Sequence, residues 1–250
     1  MTLAGWLRLG VIVGLIGLLE LATQLLWIDR YSMIPPSEMA DAMVRLLWSG
    51  RLTGDILFTF RNVAIAFVLA MVAGFLGGVI LHRLPRLRRA VDPLLGSYYA
   101  VPVFIFYPLF IVLFGLNAWP LIMVGFLFAV AAVVVNTLNG FDRVPAVMFR
   151  TARVMQLGRL RALFLITLPS ALPFLFTGVK LAVAYSFIGV IAGEFILSGH
   201  GMGHEIAFAY NSFDNRTMYG LMLFLIVFVT FINMGLHMIE QYLHARRQGR

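Results

Sequence analysis

Ionisable side chains inside long apolar runs are costly to bury and therefore informative. Four stand in or near such runs in this sequence: Glu20, Arg61, Lys180 and Glu194. Glu20 has Thr23 and Gln24 close by on one helical face, the pattern of a hydrogen-bonding cluster packed against a neighbouring helix. Arg61 and Lys180 lie near enough to the ends of their runs for long stems to snorkel to the membrane surface; Arg61 can instead face a polar interior. Glu194 precedes Gly199, Gly201 and Gly203. It can pair with an arginine, form part of an outer gate, or reach water as a helix-end carboxylate. None of these residues forms a catalytic set, and Ser97, Ser170 and Ser186 have no histidine at a matching depth. His200 and His204 have metal-binding helical spacing, but the glycines around them disfavour a helix and no third ligand is evident beyond Glu205, so no metal site is expected. The single lysine, Lys180, follows Thr177-Gly178-Val179 and precedes Leu181, which excludes a P-loop. Any ATP must be bound by another chain, and no cofactor is expected in this one.

The elements that would position these groups follow from composition. The chain has 250 residues, 61% of them hydrophobic and 12% charged, with mean hydropathy +0.93. An ordinary soluble domain is about 45–50% apolar and about 25% charged. With 19 basic and 11 acidic residues, a soluble surface could not be covered without large apolar patches. A single all-α transmembrane domain over 1–250 is the expectation, with lipid as its solvent. The net charge of +8 belongs to loop placement and not to nucleic-acid binding. No cysteine is present, which leaves disulfide frameworks and thiolate chemistry aside.

A membrane-spanning helix needs about 20 mainly apolar residues. The runs predict six spans, about 9–28, 56–81, 94–116, 119–138, 171–197 and 217–239, the first a retained anchor. Arginines concentrate after the second span (Arg83, Arg86, Arg88, Arg89), after the fourth (Arg143, Arg150, Arg153, Arg159, Arg161) and in the tail (Arg246, Arg247, Arg250). By the positive-inside rule those segments and both termini are cytoplasmic. The third span holds Tyr98, Tyr99, Pro102, Phe104, Phe106, Tyr107 and Pro108. Proline within a span bends it and frees carbonyls, a feature tolerated beside protein or a water-filled path. Tyr99, Pro102 and Phe104, with Arg61 and Glu194, are thus candidates for a translocation path; an interfacial aromatic belt accounts for Tyr98 and Tyr99 equally well.

Two connections are long enough to hold structure. The outer one, about 29–55, opens with Pro35-Pro36-Ser37 and continues with Met39, Met43, Leu46 and Leu47 at helical spacing, which predicts a short amphipathic helix. The inner one, about 139–170, has Pro145 at a first helical turn, apolar Met148, Ala152 and Met155 on one stripe, and arginines on the others. Such a basic amphipathic helix rests on anionic lipid or docks a partner.

The inner loop resembles the EAA motif of ABC importer permeases: Glu-Ala-Ala, three residues, Gly, nine residues, Ile, one residue, Leu-Pro. With Leu168-Pro169 at the end, Ile166 falls on the isoleucine, Gln156 on the glycine, and Arg150-Thr151-Ala152 on Glu-Ala-Ala. Further resemblance, to the nitrate, sulfonate and taurine branch, runs from about residue 33 to 240. It includes Pro35-Pro36-Ser37, Asp92-Pro93, Phe114-Gly115, Leu168-Pro169-Ser170-Ala171-Leu172-Pro173, Thr177-Gly178, Gly193-Glu194-Phe195 and Gly201-Met202-Gly203. The resemblance implies a type I importer fold in a bacterial inner membrane. A second permease chain is then related by a twofold axis, most simply in a homodimer. Two cytoplasmic P-loop ATPase subunits receive the loop as a coupling helix, and a solute-binding protein delivers a small polar or anionic organic solute for alternating access. Gln156 and Leu160 are expected to face the ATPase. With Gln156 in place of the glycine, Gly158 is expected to supply the turn's backbone freedom two residues later, and Arg150 in place of the glutamate predicts an acidic partner. A self-contained secondary transporter is the alternative.

Overall fold

In hydrocarbon, backbone N–H and C=O groups must be satisfied within the protein, which leaves helices or closed barrels. A computed structural model describes residues 3–248, with the side chains at 3, 4, 8, 9, 159, 160, 197 and 243–248 outside that description, Arg246 and Arg247 among them, and Arg250 outside it altogether. The described residues contain helices and no strand. In chain order these are α1 (Leu3–Gln24), α2 (Pro36–Ser49), α3 (Thr53–Arg83), α4 (Pro85–Ser97), α5 (Tyr107–Phe114), α6 (Trp119–Asp142), α7 (Ala146–Val154), α8 (Arg159–Ala162), α9 (Leu168–Leu197), α10 (Met202–Asn211) and α11 (Asn215–Gln248). Proline opens α2 and α4, where a missing N–H costs nothing.

Among the described residues, five stretches are long and apolar enough to cross a membrane: Gly5–Gln24, Thr53–Arg83, Trp119–Asp142, Leu163–Ile196 and Asn215–Tyr242. The sixth expected span, about 94–116, is not one rod. Pro85–Ala100 and Val103–Phe114 meet at 96°, with Pro102 extended at the break. The first span stops at Gln24 and not near 28, because Leu26 takes φ 58° and Trp27 N–H returns to the Ala22 carbonyl at 3.0 Å. That is the Schellman termination, in which a left-handed residue satisfies the last carbonyls.

The chain divides into two compact units. One comprises Met1–Phe58 with Glu194–Phe231. Its core is Leu52, Ile206, Ala209, Met218 and Leu221, so the amphipathic α2, α10 and the start of α11 bury their apolar stripes together with Leu46 and Ile56. Glu20 organises the start of α2: its carboxylate accepts from Ser37 N–H at 2.9 Å, Ser37 Oγ at 2.7 Å and Gln24 Nε2 at 2.6 Å. A carboxylate at a helix N-terminus satisfies orphan donors and opposes the dipole's positive end. Asn215 Nδ2 donates to the Tyr31 carbonyl at 2.7 Å and Tyr219 Oη to that of Ser32 at 2.6 Å, fastening the 29–35 turn to α11.

The other unit comprises Thr59–Gly193 with Ile232–Arg250. Its centre is a seam of small residues on α3, α6 and α9: Ala70, Ala129, Val133 and Ala182 are all buried. Where α6 crosses α9, a Cβ placed on Gly189 would lie 2.6 Å from Gly125 Cα, so the two backbones touch. Without a hydrophobic driving force between helices in lipid, such close van der Waals contact is what holds them. Asn62 and Ser186 are also fully buried, and Asn62 Nδ2, Asn62 Oδ1 and Ser186 Oγ have no hydrogen-bond partner. Lys180, expected to snorkel, instead pairs with Glu240 of α11.

Candidate functional site

The inner loop begins at Arg143, whose guanidinium lies 5.0 Å over the Phe174 ring. Val144 is buried and Pro145, extended, starts α7. On α7 only Ala152 is buried, at 4% exposure, so it is the point of closest packing. Arg150 and Arg153 are exposed, and Thr151 is held by its Oγ1 bond to the Val147 carbonyl at 3.1 Å. Val147, Met148, Val154 and Met155 are left uncovered, at 66%, 43%, 84% and 65%. This combination of a basic rim and naked aliphatic side chains has no use for water.

The end of α7 corrects the expectation for the turn. Gln156 itself takes φ 51°, while Gly158 has no positive φ. Leu157 N–H donates to the Ala152 carbonyl at 2.9 Å and Gln156 N–H to that of Arg153 at 3.0 Å. These are the two bonds of a Schellman motif with Gln156 at its left-handed position, where glycine is usual. The turn is not shifted; a glutamine occupies the strained position. Gly158 has another task, its carbonyl accepting from Ala162 N–H at 2.9 Å to start α8. The Leu160 side chain lies outside the described residues. After α8 the chain widens into a π-helical segment, Leu163–Thr167, containing the half-buried Ile166. Pro169 and Pro173 cannot donate to the carbonyls four residues back, and a widened turn is a common way to absorb that mismatch ahead of them. Leu168 is half-buried and Pro169 exposed. Met148, Met155, Leu157, Leu165, Ile166 and Pro169 line a groove of about 580 Å³.

The path candidates are distributed differently. Tyr99, Pro102 and Phe104 gather at the 96° bend, with Tyr99 and Phe104 51% and 44% exposed. The Tyr99 ring lies 5.7 Å from that of Tyr185, and Tyr98 Oη donates to the Leu127 carbonyl at 2.7 Å. Tyr98 therefore faces protein and not a lipid headgroup. A cavity of about 460 Å³ opens beside the bend, lined by Arg88, Asp92, Tyr99 and Asn139 among others. Arg61 is on the exposed side of α3. Glu194 is fully buried and does not reach water. Its Oε2 accepts from Gly203 N–H at 3.0 Å, in the first turn of α10. Asp55 Oδ1 accepts from Gly201 N–H at 2.9 Å, so two carboxylates brace the turn into α10.

Sequence reasoning named neither Asp142, Arg88, Tyr185 nor Glu240 as functional. Glu240 lies one residue past the expected end of its span, and Asp142 falls within the expected inner loop.

With this geometry in place, residues 66–249 match the family described as binding-protein-dependent transport system inner membrane component. The chain belongs to that family. The nitrate import permease protein NrtB of Leptolyngbya laminosa is 27% identical over 75% of this chain and 66% of its own length. The putative aliphatic sulfonates transport permease protein SsuC of Bacillus subtilis is 30% identical over 73% and 66%. The bicarbonate transport system permease protein CmpB of a Synechocystis strain is 28% identical over 82% and 74%. The chain thus spans roughly two thirds of the length of these curated relatives. Among solved structures, the MetNI methionine ABC transporter, described in inward facing conformations, superposes with TM-score 0.67 at 18% identity. That superposition covers 80% of this chain and 98% of the other. The fold is that of a type I importer permease, all helical and spanning the membrane several times.

Proposed function

We propose that this chain is the membrane-spanning permease subunit of an ATP-driven importer, working as a pair of copies with two cytoplasmic P-loop ATPase subunits and an outer solute-binding protein. ATP is bound and hydrolysed by the partners. The observation that carries this reading is the 143–169 loop: a short helix with exposed Val147, Val154 and Met155, a basic rim and a fixed turn. A helix that merely rested on lipid would need no rigid termination. A docking knob does, because it transmits motion only if it does not flex. Both termini are assigned to the cytoplasm, and the membrane to a bacterial inner membrane.

The cargo is a small polar or anionic solute. Relatives named for nitrate, sulfonate and bicarbonate support an anion. Its path is assigned to the bend at Tyr99, Pro102 and Phe104, where aromatic and proline surface is left open beside a cavity whose lining mixes Arg88, Asp92 and Asn139 with apolar side chains. ATP binding closes the ATPase dimer, the loops follow, and the path opens alternately to each side. The test is co-purification from the native host. Val154→Asp combined with Met155→Asp should abolish capture of the ATPase chain and leave membrane insertion and the permease pair intact. Undiminished capture would refute the docking assignment.

A further inference from the structure

The loop begins one residue after Asp142, the last residue of α6. Arg88 of α4 grips that carboxylate with both prongs, Nη1 to Oδ1 at 2.9 Å and Nη2 to Oδ2 at 2.6 Å. His82, in the last turn of α3, adds Nδ1 at 3.3 Å from Oδ1, and its ring lies edge-on to Phe141 at 5.3 Å. Arg88 also approaches Asp92 on its own helix, Nε to Oδ1 at 3.7 Å. The rest of the α4 seat is apolar: Val91 and Leu95 rest on Leu81, Val134 and Leu138.

Aliphatic contact resists separation but permits sliding, whereas a bidentate guanidinium–carboxylate pair fixes direction as well as distance. The pair is 30% and 37% exposed, so water screens it only in part. At its far end α4 runs through Tyr98 and Tyr99 into the bend at Pro102. Arg88 itself lines the cavity there. One polar fork therefore joins the root of the ATPase-facing loop to the segment that shapes the open bend, 54 residues away in sequence.

We infer that Arg88 and Asp142 are positioning residues that transmit the stroke of the 143–169 loop to α4 and the bend. This rests on the coupling reading of the loop. A displacement of Asp142 carries α4 with it, so the cavity beside Tyr99 changes shape when the ATPases close. A purely static brace would hold α4 in place without making its motion depend on the loop.

The absence of cysteine lets spin labels be placed without background. Labels at Phe164→Cys, in the same loop but outside its docking face, and, in a separate sample, at Leu94→Cys occupy positions 64% and 66% exposed. Distances between the two copies are measured by pulsed electron resonance in the reconstituted complex with its ATPase, nucleotide-free and trapped with ATP and vanadate. Both distances should change on trapping in the parent chain. In Arg88→Gln the 164 distance should still change, while the change at 94 should fall to about half or less. The charge-exchanged pair Arg88→Asp with Asp142→Arg should restore it. If Arg88→Gln does not assemble, Asp142→Asn is read in the same way. A 94 distance that moves fully in these variants, or that stays fixed in the parent chain while 164 moves, overturns the inference. A 164 distance that never moves overturns the coupling reading beneath it.

Discussion

Replacing Gly201 with alanine is the sharpest local test of how the outer turn is built. Gly201 has φ 103° and ψ 166°, a region that glycine alone occupies readily. Forcing another residue there costs about 1–3 kcal/mol. The new Cβ would also lie 2.5 Å from Glu194 Oε1 and 2.6 Å from Oε2, so the carboxylate must move. That carboxyl group is fully buried and accepts from Gly203 N–H at 3.0 Å, and leaving a buried polar group without its hydrogen bond costs about 1–3 kcal/mol. Together these give a destabilisation of about 2–6 kcal/mol. At about 2–4 °C per kcal/mol for a chain of this size, the melting midpoint in detergent should fall by about 4–24 °C, read by fluorescence-detected size exclusion after heating. Gly199 is the internal control: it has no positive φ and no atom within 4 Å of a built Cβ, so Gly199→Ala should stay within about 0.5 kcal/mol of the parent. A Gly201→Ala midpoint within about 2 °C of the parent would refute the buried-carboxylate account of this turn.

Gln156→Gly relieves left-handed strain at φ 51° and should stabilise the loop by about 1 kcal/mol, seen as slower proteolysis between α7 and α8; faster cleavage would contradict the Schellman assignment. Asn62→Leu removes a buried amide with two unpartnered atoms and should raise the melting midpoint, by about 1–2 kcal/mol of stability; a fall would mean that the amide is satisfied. Lys180→Met leaves Glu240 partly buried without its cation and should cost about 2 kcal/mol, whereas Lys180→Met with Glu240→Met should recover at least half of that loss. A Lys180→Met midpoint equal to that of the parent would show that the pair contributes nothing.

The membrane spans were legible because helix and apolar run coincide in lipid: residues 56–81 and 119–138 fall inside α3 and α6. Pro35-Pro36 marked the start of α2, and Pro102 marked the break in the third span, though not its 96° angle. Glu20 was recognised as a hydrogen-bonding group, but its main partner, Ser37, is 17 residues away on another helix, beyond any helical spacing rule. Local termination was harder. Leu26, Gln156 and Phe213 all have positive φ, and each sits at the left-handed position of a Schellman turn, as the returns of Trp27, Leu157 and Asp214 to Ala22, Ala152 and Ala209 make plain. With no glycine there, composition carries no trace of the turn. The burial of Glu194 depends on Gly201 curling back over it, and the Arg88–Asp142 fork depends on how α4 lies against α6. Both are tertiary facts that single-residue chemistry does not encode.

The central claim, that this chain forms the membrane path of a complex powered by separate ATPases, is tested most directly by native mass spectrometry of the tagged chain purified gently from its own host. The account predicts an assembly of two permease chains with two P-loop ATPase chains, whose uptake in vesicles requires ATP. A chain found without any ATPase partner, and still moving solute in ATP-free vesicles, would contradict it.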